Sequence, residues 1–250
     1  MKRFVFILTF IITTCSVVAQ NNALFEKGNA LYNQGKYTEA IDAYMTILDT
    51  KNHSAELYFN LGNAYYKLNK VAPSIYYFEK ALQLAPNDAD IKNNLAFAKN
   101  MTIDAIETIP EAAISKFTKS ITNYMTFDGW AKTTVILVFC FVVLFLIYYF
   151  AYTTIRKRLA FIGSMASLFL FVVGLTLAFH KFNSDKNDKP AIVFAQESKV
   201  KAEPNLRSEE SFKLHEGTKV QIIDTVKTWK KIKLDDGKSG WVSQEDIKEL

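Results

Sequence analysis

The 250-residue chain has two cysteines, three histidines, nine glycines and five prolines, and these scarcities close off several classes of chemistry. Cys15 lies in an N-terminal apolar run and Cys140 in the middle of a later one, so neither a disulfide framework nor thiol catalysis is expected outside those runs. His53, His180 and His215 stand in different segments and form no His/Cys cluster at metal-ligand spacing, so no metal site is expected. No glycine-rich run precedes a Lys-Ser or Lys-Thr pair, which removes a phosphate loop. Asp235-Asp236 adjoin Gly237 in a turn signal, where Asp is expected for backbone reasons rather than for catalysis. The expectation is a protein with no cofactor and no enzymatic activity.

Acid is missing from one long stretch. Residues 130–182 contain no Asp or Glu but carry Lys132, Arg156, Lys157, Arg158 and Lys181, five charges that equal the net +5 of the whole chain. Residues 20–129 sum to −2, and residues 183–250 hold thirteen charges of each sign. The surplus cations sit at the edges of apolar runs instead of covering a face, so no nucleic-acid partner is expected.

Three apolar runs are present. Residues 1–19 combine Lys2 and Arg3, an apolar core from Phe4 to Val18, and small residues ending at Ala19, the pattern of a secretory signal peptide cleaved before Gln20. A lipoprotein reading around Cys15 and an uncleaved anchor are the alternatives. Residues 130–152 and 159–179 each exceed the ~20 residues that cross a ~30 Å hydrocarbon core as a helix. The first holds thirteen Val, Ile, Leu or Phe residues, so its insertion is favourable by roughly several kcal/mol. Residues 153–158 join the two runs, and their Arg156-Lys157-Arg158 triplet marks that loop as cytoplasmic. Tyr148, Tyr149 and Tyr152 suit an aromatic belt at that edge and Trp130 one at the other. Gly163 and Ser167 are spaced to pack the hairpin or a second copy. Both flanking regions are then expected outside the cytoplasm.

The first flank is a repeat. Residues from Ala23 read ALFEKGNALYNQGKYTEAIDAYMTIL and residues from Leu57 read LYFNLGNAYYKLNKVAPSIYYFEKAL, so that Gly28 aligns with Gly62, Asn29 with Asn63, Tyr32 with Tyr66 and Tyr44 with Phe78 at an offset of 34. Gly35 and Asn69 fall where a first helix must stop with positive φ, and Pro73 falls in a first turn that tolerates it. A partial third match over 90–100 lapses as a capping helix would. This pattern resembles the tetratricopeptide repeat, and the resemblance implies an α-helical repeat domain over residues 20–101 with a concave groove lined by the first helix of each pair. It places Asn22, Phe25, Asn29, Tyr32, Glu56, Phe59, Asn63, Tyr66, Asn93 and Phe97 in that groove. Asn29 and Asn60 match the asparagines of the family's carboxylate clamp, whereas Phe25 and Asp90 stand where it has cations. The expected ligand is therefore a neutral or basic protein segment.

Residues 102–129 form a connector in which Ile114, Phe117, Ile121, Tyr124 and Met125 share a helical face. This is expected to be either a helix on the membrane boundary or a fourth packing helix of the repeat domain. Residues 180–190 read as a polar linker. From residue 191 to 250, short alternating runs are broken by Gly217, Asp236-Gly237 and Gly240, the pattern of a small all-β domain. The segments EGTKVQIID, WKKIKL and DGKSGWVS resemble the bacterial SH3-like domain. That resemblance implies a small barrel that binds protein segments or cell-wall peptides, with Trp229 as a ligand contact and Trp241 in the core.

The order signal peptide, repeats, two-span hairpin and SH3-like domain resembles the BatE-type proteins of the Bacteroides-type aerotolerance operon. The resemblance implies a multidomain scaffold in the bacterial inner membrane with both folded domains in the periplasm. It also implies partners among membrane-anchored von Willebrand factor A proteins and a MoxR-type ATPase, in aerotolerance or envelope stress. The alternative is a sensor whose SH3-like domain binds peptidoglycan.

Overall fold

The computed structural model describes residues 21–107 and 112–250. The expected signal peptide lies outside the described residues. The chain divides into two compact units, Met1–Glu107 with Pro190–Leu250, and Thr108–Lys189.

In the first unit, residues 21–33 form α1, followed by α2 (Tyr37–Asp49), α3 (Ala55–Lys67), α4 (Val71–Leu84) and α5 (Ala89–Lys99). The turns obey the chemistry of their residues. Gly35 and Asn69 take φ of +77° and +54°, the left-handed conformation that ends a helix at low cost only for Gly or Asn. Ser54 caps α3 by accepting from the Leu57 N–H, and Asp88 caps α5 by accepting from Asp90 and Ile91. The helices pack on a core that includes Tyr44, Leu57, Leu61, Ile75 and Phe78, all less than about 3% exposed. Gly28 lies against the Tyr44 ring and Gly62 against the Phe78 ring. A first-helix glycine thus lets its partner helix approach to ring-on-backbone distance in both repeats.

The same unit holds a seven-stranded antiparallel sheet made of β1 (Pro190–Val193), β2 (Glu197–Lys201), β3 (Glu210–His215), β4 (Lys219–Val226), β5 (Trp229–Lys233), β6 (Ser239–Ser243) and β7 (Ile247–Glu249). Its spatial order is β3-β2-β6-β5-β4-β1-β7. Alternate side chains such as Val200, Leu214, Val220, Ile232 and Val242 form its core. The architecture is a helical repeat region plus an antiparallel sheet consistent with the expected SH3-like domain, together with two helices apolar enough to cross a membrane.

The repeat and the sheet are not independent. Ile192 of β1 is fully buried and belongs to the helical core, and Phe194 meets the Tyr76 ring of α4 edge-on at 5.7 Å. Gly217, at φ +87°, sits where an added Cβ would lie 2.8 Å from Val71 and 2.9 Å from Thr102. The β3–β4 turn therefore docks backbone-first onto α4.

The second unit contains α6 (Ala113–Thr122), α7 (Phe127–Phe150) and α8 (Thr154–Asn187). The last two are long and apolar enough to cross a membrane. They form a hairpin whose contact is a stripe of small residues on α8. Gly163 lies against Leu144 and Gly174 against Thr134, and the Ser167 hydroxyl donates to the Leu137 carbonyl at 2.8 Å. The Gly163/Ser167 pair is thus used within the hairpin, because only small side chains allow two backbones this close. Two boundaries differ from expectation. The interhelix loop is only Ala151–Thr153, so Arg156, Lys157 and Arg158 lie exposed in the opening turns of α8. The expected linker from 180 is helical to Asn187, supported by the i,i+4 ion pair of Lys181 with Asp185 at 2.8 Å.

Candidate protein-binding groove

The groove is built by α1, α3 and α5. Asn29 on α1 accepts hydrogen bonds through Oδ1 from the Tyr44 hydroxyl at 2.8 Å and from Asn60 Nδ2 at 2.9 Å. One period later, Asn94 Nδ2 donates to Asn63 Oδ1 at 2.7 Å. Asn29 and Asn63 are 34 residues apart, as are Asn60 and Asn94, so an asparagine ladder repeats with the fold. Phe78 replaces Tyr44 at the second step and supplies no hydroxyl. Asn63 is consequently held by one partner where Asn29 has two.

Two clefts adjoin this ladder. One of about 350 Å³ is lined by Asn29, Tyr32, Asn33, Tyr44 and Asn60. The other, of about 210 Å³, is lined by Tyr32, Asn63, Tyr66, Lys67, Phe78, Asn94 and Phe97. Burial raises the Tyr44 phenol to about 12 despite its hydrogen bonding, and desolvation also raises Tyr32. The phenols therefore remain neutral hydrogen-bonding groups at physiological pH.

Of the residues anticipated in the groove, Asn29, Tyr32, Asn63, Tyr66 and Phe97 line these clefts. Phe25 and Phe59 instead pack at a tilt against Tyr44 and Phe78, with ring centroids 5.9 Å apart, and are partly buried against the core. Asn22 and Glu56 are exposed on α1 and α3 and line neither cleft, and Asn93 is exposed while its neighbour Asn94 faces the ladder. Asn33, Tyr44, Lys67, Phe78 and Asn94 also line the clefts and are not among the anticipated residues, while Asn60, matched above to a clamp asparagine, lies beside Asn29. The 34-residue offset from Asn60 points to Asn94, whereas Lys67 has no periodic signal. It adds one cation at the groove.

In the sheet, Trp229 is half-buried on β5, paired with Val226 and Ser243. Trp241 on β6 is 8% exposed beneath the Lys231 ammonium.

The seam between repeat and sheet carries two carboxylates with specific partners. Glu79 on α4, 7% exposed, is bracketed by Lys219 at 2.7 Å and Lys99 at 3.0 Å. Asp104 accepts from the His215 N–H at 2.7 Å and the Thr218 hydroxyl at 2.6 Å, with the His215 Nδ1 also at 2.7 Å. Desolvation raises both carboxyl pKa values but is outweighed. The two lysines hold Glu79 below its ordinary value, and Thr218 and His215 do the same for Asp104. A carboxylate depressed on folding stabilises above its unfolded pKa and loses that contribution as pH falls through the folded value. The seam is therefore expected to keep constant protection at neutral pH and to loosen only as pH drops below roughly 4. Hydrogen exchange of β1 and the β3–β4 turn across a pH series checks this. Full protection maintained well into that acid range would contradict the assignment.

Comparison with known proteins agrees with both folded parts. Residues 28–69 match the family described as TPR repeat and residues 55–88 that described as Tetratricopeptide repeat. Residues 198–248 match the Bacterial SH3 domain. The chain is 32% identical over 72 residues to the human Protein O-mannosyl-transferase TMTC1, a match covering 29% of this chain and 8% of that protein. Domains of these two kinds point to protein–protein interaction or scaffolding, and the two apolar helices to association with a membrane.

Proposed function

We propose that this chain is an inner-membrane adaptor that holds a segment of a partner protein in the asparagine-ladder groove on the periplasmic side. The observation that supports the topology is that chain on either side of the α7–α8 hairpin folds into one unit. Two segments that pack together must lie on one side of a bilayer, and a two-span hairpin between them meets that requirement. The basic triplet at Arg156, Lys157 and Arg158 favours the tip as the cytoplasmic end. The groove suits an extended, largely neutral segment. Amides present both donors and acceptors to a peptide backbone, and Tyr32, Tyr66 and Phe97 offer rings to side chains. By the resemblance stated above, the partners are membrane-anchored von Willebrand factor A proteins and a MoxR-type ATPase, and the process is aerotolerance or envelope stress.

The test is co-purification of those two partner classes in mild detergent with the full chain, wild type against Asn63→Ala/Tyr66→Ala. Deleting the repeats would also strip the sheet of its packing surface, so point variants are preferable. Loss of one amide contact and one ring contact, at about 1 kcal/mol each, is expected to lower recovery by roughly tenfold or more. Unchanged recovery would rule out the groove as the binding site. Absence of both partner classes from the wild-type sample would rule out the operon reading.

A further inference from the structure

The α6 helix presents an apolar face that is exposed among the described residues. Ile114 is 82% exposed, Phe117 67% and Ile121 37%, all on one face. The C-terminal end of the helix is packed. Thr122 is buried, its carbonyl accepts from the Trp130 indole N–H at 3.0 Å, and Asn123 accepts from Lys181 of α8 at 3.0 Å. These bonds tie the end of α6 to the first turn of α7 and to α8 beyond its apolar stretch, at one end of the hairpin. The turn between α6 and α7 is only residues 123–126, with Thr126 capping α7 by accepting from Gly129.

We infer that α6 lies in the headgroup region of the bilayer with Ile114, Phe117 and Ile121 immersed among the acyl chains. The inference rests on the reading that α7 and α8 span the membrane. Three features select lipid as the occupant. The face is continuous with the start of a span, so a membrane that surrounds α7 must also reach α6. The hydrogen-bonded Trp130 stands at the depth where indoles mark the boundary between acyl chains and headgroups. Residues 112–123 contain no acid, and the exposed Lys116 lies off the apolar face, a charge pattern suited to anionic headgroups. A helix of this kind buries its apolar side about 5–10 Å into the boundary. It would act as a foot that fixes the rotation and tilt of the hairpin at its extracytoplasmic end.

The test is site-directed spin labelling of the full chain, with Cys15→Ser and Cys140→Ser, in vesicles of phosphatidylethanolamine and phosphatidylglycerol. Labels are placed by Phe117→Cys on the apolar face, Ser115→Cys on the other side of α6, and Val143→Cys in the span. Collision with oxygen, which concentrates in lipid, is compared with collision with a water-soluble nickel chelate. The position-117 label is expected to favour oxygen severalfold over the position-115 label, and the position-143 label more strongly still. A label at 117 that collides freely with nickel, or is shielded from both reagents by protein, overturns the inference even when 143 reads as lipid. A water-accessible label at 143 would instead overturn the spanning reading itself.

Discussion

Replacing Gly62 with valine is expected to destabilise the repeat region by about 3 kcal/mol or more, among the largest effects available to a single substitution in this chain. A Cβ at Gly62 would stand 2.6 Å from Cδ1 and 2.7 Å from Cε1 of Phe78. That ring is fully buried and packs against the tilted Phe59 ring at 5.9 Å, so moving it disturbs the core. The α3 backbone is also held, because the buried Ser74 hydroxyl donates to the Gly62 carbonyl at 2.9 Å. Alanine gains about 1 kcal/mol of helix propensity over glycine, against about 1–3 kcal/mol of overpacking. Gly62→Ala should therefore fall between wild type and Gly62→Val. Gly35→Ala serves as the comparison. Nothing lies within 4 Å of its added Cβ, so only the left-handed backbone penalty of about 1–2 kcal/mol applies. Urea titration of the full chain in mild detergent, with hydrogen exchange read over α3 and α4, orders the three variants. A Gly62→Val chain as stable as wild type would remove the ring-on-backbone contact from the account of the fold.

The equivalent glycine links packing to binding. Gly28 abuts the Tyr44 ring, and the Tyr44 hydroxyl is one of the two groups holding Asn29. A side chain at position 28 would displace the ring and with it the first rung of the ladder.

The parts of this molecule that were legible in the sequence are those with a period. A 34-residue offset brings Gly28 and Gly62, and Tyr44 and Phe78, into register because each repeat buries the same contact. An alternating pattern marks the strands because one face of each is dry, and a run without acid marks helices long and apolar enough to cross a membrane. The groove was half legible for the same reason. Asn29 and Asn63 repeat, but a one-residue choice between Asn93 and Asn94 on α5 depends on which way Leu95 and Ala98 turn that helix toward the core. Phe25 and Phe59 have the right period yet pack inward, since an aromatic ring gains more from a neighbouring ring than from open water. The seam was not legible. Asp104 meets Thr218 across 114 positions and Glu79 meets Lys219 across 140, and no local spacing encodes such pairs. In the sequence, Glu79 is one more acid on an amphipathic helix, Ile192 one more strand residue and Gly217 one more turn. Their joint meaning appears only when chain from before and after the hairpin is brought together.

Removing both lysines around Glu79, as Lys99→Ala/Lys219→Ala, is expected to cost about 3–5 kcal/mol, the usual penalty for stranding a buried charge without its partners. Glu79 is 9% exposed at its side chain, while Lys99 and Lys219 are 46% and 40% exposed. The burden of desolvation falls on the carboxylate, and the asymmetry sets the ranking of variants. Glu79→Gln leaves two ammonium groups that water can reach, so it should cost less than the double lysine variant even though it removes the central charge. Each single lysine variant leaves Glu79 one cation and should also be milder. The double variant should in addition raise the Glu79 pKa, because the desolvation that now opposes two lysines would act alone. Its stability should then fall as pH rises through that raised value, the reverse of the wild-type dependence. The lysines join α5 and β4 to α4, so the loss should appear in both the repeat and the sheet as a shared decrease in hydrogen-exchange protection. A loss confined to one of them would show that the two folded parts do not share this ion cluster, and a Glu79→Gln variant less stable than the double lysine variant would overturn the ranking drawn from the buried carboxylate.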